Sequence, residues 1–252
     1  MTNTLAENKE KWFNFDWTAG GKLSGGERWS GSFGNSEAQW HFAILPRVHR
    51  YLPAKVICEI APGYGRWSKF LLDVCEIYCG IDIIASCVAA CANRFTNYQN
   101  ARFLVGDGVS LSPIEDHSVD FIFSFDSLVH CDAEIIGSYV PEMLRALKPQ
   151  GRAFVHHSNL RESPAALTDQ KSPIHWRATN VSATIVRSMV AQAGGAVYSQ
   201  ELINWSNTPH LIDCITVFGW AEGAPLNPKI VENADFIRSA DVVRNIASLY
   251  CE

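Results

Sequence analysis

The sequence predicts an α/β fold: a doubly wound, mostly parallel β-sheet with helices on both faces and an antiparallel hairpin at one edge. Three observations carry this expectation. Between residues 46 and 220, short apolar runs alternate with stretches of helical periodicity, the pattern that lays down parallel strands and crossover helices in turn. Several of those runs close on Gly, Asp or Pro, as strands do where they leave a sheet. The last two runs follow one another with no helix between them, so they pair antiparallel.

Residues 1–45 are rich in Trp, Gly and Ser and read as loops leading into a short helix. Glu27-Arg28-Trp29-Ser30 and Gln39-Trp40 are expected to fold over a ligand mouth as a lid that excludes water. In residues 46–220, KVICEIAP is the first strand and RWSKFLLDVC its helix; EIYCGIDI is the second strand and SCVAACANRF its helix. ARFLVGD and VDFIFSFD are the third and fourth strands. AEIIGSYVPEMLRAL has helical spacing and stops at KPQG. RAFVHHS is the fifth strand, VSATIVRSMVAQAGG a helix with a glycine stop, and YSQELINW and LIDCITVFGW the hairpin. Residues 221–252 form an extension that opens on AEGAPLNP and ends in an amphipathic helix, with Phe236, Ala240, Val243, Ile246, Ala247 and Tyr250 on one face. That face packs on its own core or on a neighbour, which leaves a homodimer open.

The 252 residues suit one large domain or one domain with extensions, and 47% hydrophobic with 19% charged residues is an ordinary globular balance. A net charge of −5 argues against a protein that grips phosphate backbones, so no nucleic-acid partner is expected. MTNTLAENKEKW has no signal pattern, and the charge-free run IIASCVAACA is about half the length that spans a bilayer. The expectation is a cytoplasmic protein without a membrane partner. None of the eight cysteines forms C-x-x-C, which leaves zinc-ribbon and redox pairs unsignalled.

In sheets of this kind the ligand lies outside the carboxyl ends of the strands, where strand order reverses. The loop after the first strand reads Glu59-Ile60-Ala61-Pro62-Gly63-Tyr64-Gly65-Arg66. It lacks the third glycine of a dinucleotide fingerprint, and Glu59 ahead of the turn suits a ligand bearing an amine or other cation. On this loop and three further motifs, the sequence resembles the class I S-adenosylmethionine-dependent methyltransferases, across residues 55 to about 220. The family usually has glycine where Ala61 stands.

The resemblance implies a Rossmann-like fold and S-adenosyl-L-methionine as cofactor. It implies that Glu59, Ala61, Pro62, Gly63 and Gly65 form the cofactor loop. Asp82 and Ile83 would then end the second strand at the ribose hydroxyls, and Gly106-Asp107-Gly108 would meet the adenine amino group. Ser124 and Phe125 would close the fourth strand facing the methyl donor.

For catalysis, His130 lies four residues past Asp126 on a post-strand loop, and its ordinary pKa suits a general base. Capping the next helix and hydrogen-bonding inside the core are the other roles open to it. His156 and His157 point to opposite faces of the fifth strand, and His157 is favoured as the one in the cleft. Asp126, Trp176 and Arg177 are candidates for binding the acceptor, the last two as an aromatic plate beside a planar cation. A metal set of Asp126, His130 and His157 can be drawn, but nothing in the spacing requires one. A finer resemblance, to bacterial methyltransferases acting on sugars or glycan precursors, implies O-methylation of a polar, sugar-like or phosphorylated small-molecule acceptor. N-methylation of a small amine and cofactor binding without catalysis are the alternatives. Nucleic-acid methylation is disfavoured, since no N/D-P-P-Y/F follows the fourth strand.

Overall fold

The computed structural model describes residues 3–21, 24–171, 174–205, 208–247 and 249. Eight strands form one sheet in the order β3-β2-β1-β4-β5-β7-β6-β8. They are β1 (Ala54–Ile60), β2 (Cys75–Asp82), β3 (Ala101–Val105), β4 (Val119–Ser124), β5 (Leu147–Ser158), β6 (Gly195–Ile203), β7 (Asp213–Trp220) and β8 (Lys229–Asn233). Strand β7 runs against its neighbours β5 and β6, while every other neighbouring pair is parallel. The predicted hairpin of β6 and β7 is therefore present. Strand β8, from the segment read as loop and helix, adds a further edge outside it. KIVEN alternates too briefly to stand out in sequence, and the parallel ladder with β6 is what makes it a strand.

The helices are α1 (Leu5–Phe13), α2 (Ser36–Gln39), α3 (Leu45–Val48), α4 (Ser68–Leu71), α5 (Ala85–Arg94), α6 (Ala133–Ala146), α7 (Ala183–Gln192) and α8 (Phe236–Ala247). A π-helical turn, Trp40–Ile44, joins α2 to α3. Helix α1 starts with a capping box in which Thr4 and Glu7 satisfy each other's orphan donors. Helices α6 and α7 are capped by Asp132 and Ser182. The helix expected over residues 66–75 is shorter: α4 gives way to a 3-10 turn at Leu72–Val74, because β2 already begins at Cys75, paired with Ala54.

Each sheet face buries its own core. Ile60, Ile81, Ile122, Tyr139 and Phe218 fill one, while Ile57, Phe121, Phe123, Phe154 and Trp40 fill the other. Phe121 and Phe123 against Ile122 show the alternation that two covered faces require. Helix α8 lays Phe236, Ile237 and Ala240 on the second core, so this face packs on its own chain, whereas Ile246 is exposed. Tyr250 and Cys251 lie outside the described residues. The seven described cysteines are free thiols. Among the described residues no helix is long and apolar enough to cross a membrane.

Candidate active site

Strand order reverses between β1 and β4, since β2 and β3 lie to one side and β5 to the other. A cavity of about 590 Å³ opens there, beyond the carboxyl ends of both strands. The loop leaving β1 is shaped by backbone geometry. Ala61 has φ 57° and Gly63 φ 58°, both left-handed. For an L-residue that conformation costs roughly 1–2 kcal/mol, which is why glycine is usual where Ala61 stands. The Gly63 N–H donates to Asp82 Oδ2 and the Ile84 N–H to Asp82 Oδ1, each at 2.9 Å. Asp82 thus ties the β1 loop to the end of β2. Burial pushes its carboxyl up to about 6, against the pull of those backbone N–H groups.

Of the residues singled out in sequence, Ala61, Pro62, Gly63, Asp82, Ile83, Gly108, Phe125, Asp126, His130, Trp176 and Arg177 line this cavity. The other residues expected to hold the cofactor do not line it. Glu59 is buried, accepting from the Tyr78 hydroxyl and, at 2.7 Å, from Ser68 Oγ, and burial pushes its carboxyl up to about 7. Its expected contact with a cationic ligand is not made by this geometry. A Cβ at Gly65 would run into the Phe95 ring, so this glycine serves packing. The Gly106 N–H donates to the Asp82 carbonyl. Asp107 spends its carboxylate on its own turn, accepting from the Val109 and Ser110 N–H groups at 2.9 and 2.7 Å. Ser124 Oγ donates to the Ile60 carbonyl at 3.1 Å.

His157 is corrected by the structure. It is fully buried, with Nδ1 2.9 Å from the Ser158 carbonyl and Nε2 2.7 Å from Thr216 Oγ1, and burial pushes its pKa down to about 4. With both nitrogens engaged away from the cavity, it joins neither a base nor a metal set there. Among the described residues no group of three ligating side chains converges on a metal position. The alternation that separates the two histidines sends His156 toward Asp126 instead.

The far end of the cavity holds a buried charged cluster. Arg66 Nη2 donates to Asp126 Oδ2 at 2.8 Å. Arg177 holds Asp213 through Nε at 2.9 Å and Nη2 at 2.8 Å, and its Nη2 lies 3.9 Å from Asp126 Oδ1. Burial alone would raise the Asp213 carboxyl, but Arg177 and then His156 hold it well below the usual range. His130 Nδ1 lies 3.1 Å from the Trp176 carbonyl, with the Trp12 ring 5.1 Å away. Burial, with Arg177 adding to it, pushes the His130 pKa down to about 4. Trp12, Phe15, Trp17 and Trp29 of the N-terminal segment cover the cavity, Trp17 stacking on Tyr64 at 5.2 Å.

A family model described as a methyltransferase domain matches residues 58–155. Residues 58–155 form a methyltransferase domain of the class I, S-adenosylmethionine-dependent kind. Phosphoethanolamine N-methyltransferase 1 of Triticum aestivum is 29% identical over 139 residues, 52% of this chain and 27% of its own length. The chain thus matches about a quarter of the curated relatives' length. The solved PH0226 protein of Pyrococcus horikoshii aligns with a TM-score of 0.57 and 24% identity, over 74% of this chain and 92% of that one. Phosphoethanolamine N-methyltransferase 1 of Haemonchus contortus, solved with phosphoethanolamine and S-adenosylhomocysteine, aligns with a TM-score of 0.58 and 15% identity. It covers 98% of this chain and 54% of that one. Both structural likenesses establish the fold.

The site of this methyltransferase domain fits S-adenosylmethionine. Each Asp82 oxygen accepts one of the two backbone N–H bonds and retains capacity for a hydroxyl. A Cβ at Gly63 would meet Trp17 at 3.1 Å, so the loop brings bare backbone to the cavity wall. Trp67 lines the cavity, and its buried Nε1–H has no acceptor in the described chain, a donor that a ligand atom would satisfy. Sequence reasoning missed Arg66, His156 and Asp213 as members of the site. Asp213 carried a signal: an acid inside the apolar run LIDCITVFGW is either paired or very costly.

Proposed function

We propose that this methyltransferase transfers a methyl group to a hydroxyl of a polar, sugar-like or phosphorylated small molecule, with His130 as general base. One observation carries the reading. The Trp176 carbonyl, 3.1 Å from His130 Nδ1, only accepts, so Nδ1 holds the proton and Nε2 offers its lone pair, on a residue that lines the cavity. The ring is neutral at physiological pH and so ready to accept a proton. Its pKa of about 4 makes it a weak base, which favours proton transfer in step with methyl transfer rather than ahead of it.

Bound S-adenosylmethionine would supply an electrophilic methyl on sulfur, with Asp82 taking the ribose hydroxyls, Ala61–Gly63 approaching through backbone, and Ile83 and Gly108 flanking the base. Asp126, Arg66 and Arg177 would orient the acceptor's polar groups against the Trp176 face. The N-terminal aromatics would act as a lid over both ligands. Free thiols at every described cysteine suit a cytoplasmic location.

N-methylation of a small amine is the second reading. It is favoured by the likeness to the Triticum aestivum enzyme and by the tryptophans that line the cavity, aromatic faces that suit a cationic amine. Mass spectrometry of products from monosaccharides, sugar phosphates, phosphoethanolamine and simple amines separates the two. A methyl ether from a hydroxyl acceptor supports the first reading. A methylated amine with no ether sinks it in favour of the second.

A further inference from the structure

We propose that His156 is a positioning residue: its imidazole holds Asp126 in a left-handed conformation, so that the Asp126 carboxylate meets Arg66 at the acceptor end of the cavity. Asp126 is a non-glycine residue with φ 61°, a region that an L-residue occupies only when its surroundings hold it there. The β4–β5 ladder ends at Ser124 and Val155, one residue short of His156, so no ladder carbonyl awaits the Asp126 N–H. That N–H donates instead to His156 Nδ1 at 3.1 Å. Without this acceptor a partly buried backbone donor would be left unpaired.

The His156 ring is itself clamped. It is fully buried between Phe125, at a centroid distance of 4.5 Å, and Trp205, at 5.2 Å. Because Nδ1 accepts from the backbone, Nε2 carries the proton. That proton faces Asp213 Oδ2, 3.2 Å from Nε2, a close but poorly aligned contact. Asp213 is anchored in turn by Arg177. The order Asp213, His156, Asp126 N–H resembles a proton relay, but its last member is an amide N–H that does not transfer. The arrangement therefore positions, and moves no proton.

The functional part of the proposal rests on reading this end of the cavity as the acceptor's. Three variants of the full chain separate the two parts. In His156→Phe the ring stays between its aromatic neighbours but loses the acceptor, while His156→Asn places an oxygen near the Nδ1 position. A crystal structure of His156→Phe is expected to show Asp126 outside the left-handed region and parted from Arg66, with His156→Asn retaining both features. With the best acceptor from the product screen, His156→Phe should raise KM roughly tenfold, as expected for a misplaced charged hydrogen-bonding group. His156→Asn should restore most of it, and S-adenosylhomocysteine affinity should not change in either. Asp126→Gly, which is at ease in the left-handed region but lacks the carboxylate, should raise KM as His156→Phe does.

Asp126 still left-handed and paired with Arg66 in His156→Phe overturns the positioning role. Asp126 displaced with KM unchanged overturns only the acceptor reading. Should His156→Phe not fold, nitrogen NMR of the wild-type imidazoles decides: His156 protonated on Nε2 supports the proposal, and a proton on Nδ1 overturns it.

Discussion

The two ends of the cavity are built in different ways. At the end proposed for the cofactor, the Ala61–Gly63 turn and the Asp82 carboxylate are joined mainly by backbone N–H groups at the ends of two adjacent strands. At the end proposed for the acceptor, Arg66, Asp126, His156, Arg177 and Asp213 come from five separate stretches of chain and meet mainly through side chains. Backbone-built sites follow from the fold itself. Side-chain clusters depend on every element that delivers a member, and a buried one fails if a single charge loses its partner.

The sharpest way to break this contrast is at His130. His130→Ala is expected to lower kcat about 10²–10⁴-fold, the usual worth of a general base, while calorimetric affinity for S-adenosylhomocysteine stays unchanged. Unimpaired turnover would remove His130 from the chemistry. Next comes Asp213→Asn, which leaves the buried Arg177 without its bidentate partner and should cost about 3–5 kcal/mol of stability in urea unfolding. Asp213 is held below its unfolded pKa, so its stabilisation is present above the ordinary Asp value and is lost as pH falls below it. The same variant should lose that part of the acid sensitivity. A loss under about 1 kcal/mol would show the cluster to be looser than its geometry.

At the cofactor end, Asp82→Asn should weaken S-adenosylhomocysteine about tenfold, the scale of one charge-assisted hydrogen bond, and leave stability less affected than Asp213→Asn does. Unchanged affinity would place the ribose elsewhere. Glu59 sharpens the comparison through pH. Its carboxyl is raised from 4.5 to about 7 by burial, so its contribution is fully present below the unfolded value and is lost as pH rises through about 7. Glu59→Gln, which keeps an acceptor for Tyr78 and Ser68, should flatten the ligand-free protein's stability between those pH values. An unaltered profile would mean that Glu59 ionises freely. The smallest effect belongs to Ala61→Gly. Relief of left-handed strain, partly offset by glycine's greater unfolded-state freedom, should raise stability by up to about 1 kcal/mol.

Much of the cavity wall beside β1 and β2 was legible in the sequence. Ala61, Gly63 and Asp82 close strands whose apolar runs are local, and a residue at the end of a strand in a parallel sheet is already near the ligand crevice. Asp107 and Glu59 show the boundary of that logic. Both sit at the ends of strands, yet one caps its own turn and the other faces the hydroxyls of Tyr78 and Ser68. Position along a strand locates a residue, whereas which way its carboxylate turns depends on neighbours that sequence does not place.

The sequence by itself determined the run of strands and helices and the turn after β1 that lines the cavity, because periodicity and turn chemistry act over a few residues. It also determined that His156 and His157 face opposite ways. Only the tertiary structure decided that His156 is the one behind Asp126, since that depends on which sheet face carries the cavity and where the ladder with β4 stops. It alone placed β8 at the sheet edge and joined Arg177 to Asp213. Those contacts pair groups far apart in the chain, and they exist because burial leaves each charge no water to turn to.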